Sequence, residues 1–182
     1  MLKYKKLKEM CIISLLCGIL CIISPFSIPI PFSVVPISFS NLIIYLISII
    51  FDINISTYAI LIYIILGVCG LPVFSNFGSG LSKIVGPTGG YIIAYIFIPI
   101  IIYKISKIFS YKKVFVFLSL LLATCFMYLV GTLHLCIILK IRYIEAFYIG
   151  VVPYIIIDII KMIIALFLGL NIKNKIKMYL IN

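Results

Sequence analysis

Asp158 and Lys161 stand three residues apart in Pro153-Tyr154-Ile155-Ile156-Ile157-Asp158-Ile159-Ile160-Lys161. On a helix that spacing puts an acid and a base on one face. The stretch from Phe147 to Asn171 is otherwise apolar. Inside a bilayer each charge costs about 2.5–3.5 kcal/mol, so the two together cost about 5–7 kcal/mol. Pairing offsets part of that cost, whereas two leucines would avoid it. One reading is an ion pair that fixes a helix bundle. The reading preferred here is a ligand site in a wet cavity, where Lys161 attracts a carboxylate and Asp158 accepts N–H bonds from a mixed polar solute.

The remaining reactive side chains do not assemble into catalytic or metal-binding patterns. His134 is the only histidine and cannot build a metal site alone. It is expected to hydrogen-bond a neighbouring helix near the outer boundary. Six cysteines, Cys11, Cys17, Cys21, Cys69, Cys125 and Cys136, are scattered without a CxxC pair and are expected to pack in helix interfaces. Ser79 and Ser82 lie in a loop, with Ser82 adjoining Lys83 rather than opening a buried helix, which argues against an intramembrane serine nucleophile. Gly86-Pro87-Thr88-Gly89-Gly90 lacks the Gly-Lys-Ser/Thr ending of a phosphate loop. The four acidic residues, Glu9, Asp52, Glu145 and Asp158, are far apart, which argues against an intramembrane transferase. No enzymatic activity, cofactor or metal is expected.

The elements that must hold the pair follow from composition. Of the 182 residues 65% are hydrophobic and 10% charged, too few polar groups to cover a soluble domain of this size. Residues Met10–Phe51, Ile53–Ser82, Ile84–Tyr103 and Val114–Leu139 contain no charge. A spanning helix needs about 20 such residues. These stretches predict an all-α integral membrane protein: one six-helix bundle over residues 1–182, with spans near 9–25, 37–51, 55–70, 88–107, 114–136 and 147–171. A net charge of +11 would suggest nucleic acid in a soluble protein. Here Lys3, Lys5, Lys6 and Lys8 precede the first span, Lys104, Lys107, Lys112 and Lys113 follow the fourth, and Lys173, Lys175 and Lys177 follow the sixth. An even number of spans puts all three clusters on one side, which the positive-inside rule makes cytoplasmic. Both termini are therefore expected inside, with membrane lipids as the surrounding partner and no nucleic acid. In the first span Ser14 and Gly18 form a small-xxx-small pair, a weak signal for a docking face.

Two outer connections are chemically unusual. Pro25 to Pro36 holds four prolines in twelve residues, yet is apolar and uncharged. It predicts an irregular re-entrant corner, or a lid over an outward-facing cavity. Gly70 to Tyr91 holds six of the eleven glycines and predicts a binding loop. Thr88 is a plausible N-cap for the helix that follows.

Gly70-Leu71-Pro72-Val73-Phe74, Gly86-Pro87-Thr88-Gly89-Gly90-Tyr91 and Pro153-Tyr154 with Asp158-Ile159-Ile160-Lys161 together resemble the BioY family. These are the biotin-specific substrate-binding (S) components of energy-coupling-factor (ECF) transporters. Val35-Pro36-Ile37-Ser38 adds a fourth likeness. The resemblance implies a six-helix S component that binds biotin from outside. It also implies a transmembrane coupling subunit and two cytoplasmic ATPase subunits as partners, although some biotin-specific members are thought to work alone. Carried onto this chain, the binding residues would be Asp158, Lys161, Gly78, Gly80 and Tyr91, with Phe74 and Tyr95 as aromatic walls. Two positions depart from the pattern. Ser40-Asn41 stands where a Gln is expected, and Ile92 stands where some relatives carry a cation, for which Lys83 could substitute. Another small vitamin, such as lipoate or thiamine, remains the alternative ligand.

Overall fold

The computed structural model describes residues 2–31 and 33–181. Phe32 of the proline segment, and the side chains of Lys3, Lys5 and Lys177 in the basic clusters, lie outside the described residues. The chain opens with α1 (Leu2–Ile23), a hairpin of β1 (Ser27–Ile30) and β2 (Ser33–Ser38), then α2 (Ser40–Ile50) and α3 (Ile53–Val68). A short 3-10 turn (Ser75–Phe77) leads into α4 (Leu81–Val85), α5 (Gly89–Ala94) and α6 (Ile98–Ile108). The long α7 (Lys113–Leu139), the short α8 (Tyr143–Gly150), a 3-10 turn (Val152–Tyr154) and α9 (Ile155–Ile181) complete it.

Among the described residues, three stretches are long and apolar enough to cross a bilayer: Gly89–Ile108, Lys113–Leu139 and Tyr143–Ile176. Helices α2 and α3 are equally apolar but shorter. Outward-facing Leu118, Leu122, Leu129, Ile137, Ile156, Ile160 and Phe167 are exposed. Meanwhile Ser40, Asn41, Ser48, Ser56, Ser106, Ser119 and Thr124 are buried. An oily outside around a hydroxyl-lined inside suits a lipid solvent, in which interior polar groups must bond one another. Tyr45 and Thr124 do so at 2.7 Å, and Ser106 and Ser119 at 3.2 Å.

Proline decides where two expected spans break. The stretch 88–107 is divided, because Pro99 sits in the first turn of α6, where a missing N–H is harmless, and cannot continue α5. Likewise 147–171 is divided at Pro153 in the turn Val152–Tyr154. Asp158 consequently lies in the first turn of α9, not in the middle of an unbroken span. There the helix dipole favours a carboxylate.

The proline segment is more regular than its sequence suggested. It folds as an antiparallel hairpin pairing Ser27 with Ser38, Ile28 with Ile37 and Ile30 with Ser33, and the register is irregular around Pro29. A two-stranded ribbon has two edges, so prolines can stand where no ladder donor is needed. The hairpin is tied down by Ser33 Oγ donating to the Ile149 carbonyl (2.9 Å) and by Ser27 Oγ donating to Asn76 Oδ1 (2.8 Å). Tyr154 donates to Ser33 Oγ (2.7 Å) or to the Val35 carbonyl.

Two smaller expectations are corrected, those on Thr88 and on the cysteines. Thr88 occupies the residue before α5, but its own backbone is already helical (φ −88°, ψ −7°) and its hydroxyl makes no cap bond. A Cβ added at Gly18 would have nothing within 4 Å, and Ser14 bonds its own helix at Met10, so among the described residues no helix of this chain packs on the pair, and the docking face stays open to a partner. Cys17 is buried and Cys21 and Cys136 are half-buried, but Cys11 and Cys125 are exposed, as apolar side chains on a lipid-facing surface can be, and Cys69 is exposed at the end of α3.

Candidate functional site

Helices α2 and α9 lie side by side, and their neighbouring N-terminal ends carry the polar cluster. Asp158 and Lys161, 4% and 5% exposed, form an ion pair of 3.0 Å. The buried Asn41, near the start of α2, bridges them. Its Nδ2 donates to Asp158 Oδ1 (2.8 Å), and its Oδ1 accepts from Lys161 Nζ (3.0 Å). From α7, Tyr128 donates to Asp158 Oδ2 at 2.6 Å. Lys161 also donates to the Ser38 carbonyl at the end of β2 (2.7 Å). The ammonium thus has three N–H bonds and three acceptors, and is fully used. The carboxylate receives three of the roughly four bonds it can accept, with room for one more on Oδ2.

These groups open into a cavity beneath the hairpin. Its roof is Val35, Pro36 and Ser38 of the hairpin, and its walls include Tyr63, Phe74, Tyr91, Ile92, Tyr95 and Met127. Aromatic placement depends on missing side chains elsewhere. Tyr91 threads between α7 and α8 and donates to the Gly150 carbonyl at 2.9 Å. A Cβ at Gly131 or Gly150 would lie 2.4 or 2.3 Å from Tyr91 atoms. Gly90 brings α5 against α7 so closely that a Cβ there would sit 2.8 Å from the Val130 carbonyl. Close backbone approach is therefore what the paired glycines provide.

A second, larger cavity lies between α7, α8 and α9, sharing Tyr128 and Asp158 as a wall. Its lining is mostly apolar, and Thr124 is already bonded to Tyr45. The first cavity carries more of the polar side chains, among them Asn41, Lys83 and Lys161.

Of the residues singled out from sequence, Asp158, Lys161, Phe74, Tyr91 and Tyr95 all line the first cavity. Gly78 and Gly80 do not; they shape the loop beside it. Gly78 pairs with Phe74 in an isolated bridge, and Gly80 has a φ of +81°. The glycine segment contributes Lys83 and Thr88 to the lining instead. His134 Nε2 lies 3.1 Å from the Gly86 carbonyl, so it braces that segment rather than another helix. Tyr128 was not foreseen, and Asn41 was noted only as part of a departure from the family pattern. Asn41 is a polar interruption of a charge-free apolar run, a usable signal; Tyr128 has nothing in sequence to separate it from the other tyrosines.

An apolar helical bundle with a roofed cavity, a buried acid–base pair and aromatic walls defines a membrane-embedded solute-binding protein. The chain belongs to the BioY family, whose sequence pattern matches residues 1–178. It is 30% identical to "Biotin transporter BioY2" of Lactococcus lactis subsp. cremoris over 91% of this chain and 90% of that one. It is 33% identical to "Probable biotin transporter BioY" of Pyrococcus horikoshii over 86% and 90%. Its fold is that of a solved S-component for biotin from an ECF-type ABC transporter, with a TM-score of 0.87, 24% identity and coverage of 96% and 95%.

Proposed function

We propose that this protein binds biotin at the outer side of the cell membrane as the S component of an ECF-type uptake system. It performs no covalent chemistry. Biotin carries a ureido ring with two N–H groups, an apolar bicyclic body and a carboxylate. The observation that carries the reading is the buried Asp158 carboxylate, held by Asn41, Lys161 and Tyr128 with one acceptor position left at the cavity. A ureido N–H is suited to that position, and Phe74, Tyr91 and Tyr95 suit the apolar body. Asp158 and Lys161 are the ligand-binding core of this proposal. Gly78 and Gly80 support it indirectly by shaping the glycine loop.

The three basic clusters support an orientation with both termini cytoplasmic and the hairpin and glycine segment outside. A transmembrane coupling subunit and a pair of cytoplasmic ATPases would drive reorientation and release, because the chain carries no phosphate loop of its own. The test is radiolabelled biotin binding to the purified protein, with unlabelled biotin, lipoate and thiamine as competitors. Saturable binding displaced only by biotin is expected. Displacement by lipoate or thiamine at equal concentration would reassign the vitamin.

A further inference from the structure

Three charged side chains line the cavity: Lys83, Asp158 and Lys161. Asp158 and Lys161 neutralise one another at 3.0 Å, which leaves the cavity with one uncompensated positive charge, on Lys83. Lys161 is poorly placed to receive an anion. Its three N–H groups are committed to Ser38, Asn41 and Asp158, so a carboxylate would have to displace one of them and lie against the carboxylate of Asp158.

Lys83 differs in each respect. It is half-buried on α4, and its ammonium donates to the carbonyl of Ser75 at a long 3.4 Å. Among the described residues no carboxylate lies within ion-pair distance of it. Its stem is folded over Gly78, where an added Cβ would fall 2.0 Å from Lys83 Cε. The glycine therefore keeps the side chain beside the cavity instead of sending it out to water. Ile92, buried in the same lining, brings no charge. We infer that Lys83 is the anchor for the ligand's carboxylate, so that a monoanion completes the charge balance of the cavity. The inference rests on the biotin reading and adds to it the residue that recognises the acid.

The test compares biotin with biotinamide, its neutral analogue of nearly the same shape, on the purified full chain and on Lys83→Gln and Lys83→Arg. The native protein is expected to prefer biotin by at least tenfold. Lys83→Gln should weaken biotin by at least tenfold while changing biotinamide by less than about twofold, so biotinamide binding also reports that the variant is folded. Lys83→Arg should retain most of the preference. Equal weakening of both ligands by Lys83→Gln, or an unchanged preference in it, overturns the assignment of Lys83. Native protein that binds biotin and biotinamide equally overturns that assignment alone. Native protein that binds neither overturns the biotin reading, and Lys83 with it.

Discussion

Replacing Asp158 by Asn separates the two roles that a buried ion pair can play. In the single variant Lys161, 5% exposed, keeps its charge but loses its anionic partner, and retains Ser38 and Asn41 as neutral acceptors. Removing one member of a buried pair costs about 3–5 kcal/mol, because the other charge is left uncompensated. For a chain of this size, at about 2–4 °C per kcal/mol, the melting temperature should fall by roughly 6–20 °C. In Asp158→Asn/Lys161→Gln both charges are gone, and amides take over hydrogen bonds to Tyr128, Asn41 and Ser38. That double variant should melt within a few degrees of the native protein. Biotin binding should nevertheless fall in it by about 10–100-fold, since the ligand loses its hydrogen bond to a charged acceptor, worth about 1.5–3 kcal/mol. Thermal unfolding in detergent and equilibrium binding of radiolabelled biotin measure the two effects separately. A double variant as unstable as the single one would refute the charge argument. One that bound biotin like the native protein would reduce the pair to a structural brace.

Tyr128→Phe removes the 2.6 Å bond to Asp158 Oδ2 and should weaken biotin binding by about 10–100-fold, measured by the same binding assay, with the ion pair intact. Gly90→Val forces a side chain into the 2.8 Å space before the Val130 carbonyl and should cost about 1–3 kcal/mol or more, read as a lowered melting temperature. Cys69, exposed at the end of α3 beside the glycine segment, should react with an impermeant maleimide added to intact cells when it is the sole cysteine. In the same background a cysteine at Ser110, in the turn after α6, should react only after the membrane is opened, as the orientation requires.

The helical architecture was readable because charge-free runs of about 20 residues have few uses outside a bilayer. Breaks within those runs were harder to see. Pro99 and Pro153 were visible in sequence, but a proline in the first turn of a new helix and one that kinks a continuous span look alike until neighbouring helices are known. The hairpin was missed for a related reason: four prolines argue against a strand in a sheet, and only a two-edged ribbon escapes the objection. At the site, Asp158 and Lys161 announced themselves by charge in an apolar setting. Asn41 and Tyr128 reach Asp158 from other helices, 117 and 30 residues away along the chain. Such partnerships arise from packing of α2 and α7 against α9, and no local spacing encodes them. The glycines of the GPTGGY string were read as a binding loop. Gly90 instead lets α5 approach α7, which sets Tyr91 in the wall.

Where the vitamin sits is tested most directly by a structure of the protein determined with biotin bound. The ureido ring is expected within hydrogen-bond distance of Asp158 Oδ2, beside Asn41 and Tyr128, under the hairpin. Biotin found in the apolar cavity between α7, α8 and α9, or anywhere out of reach of Asp158, would contradict it.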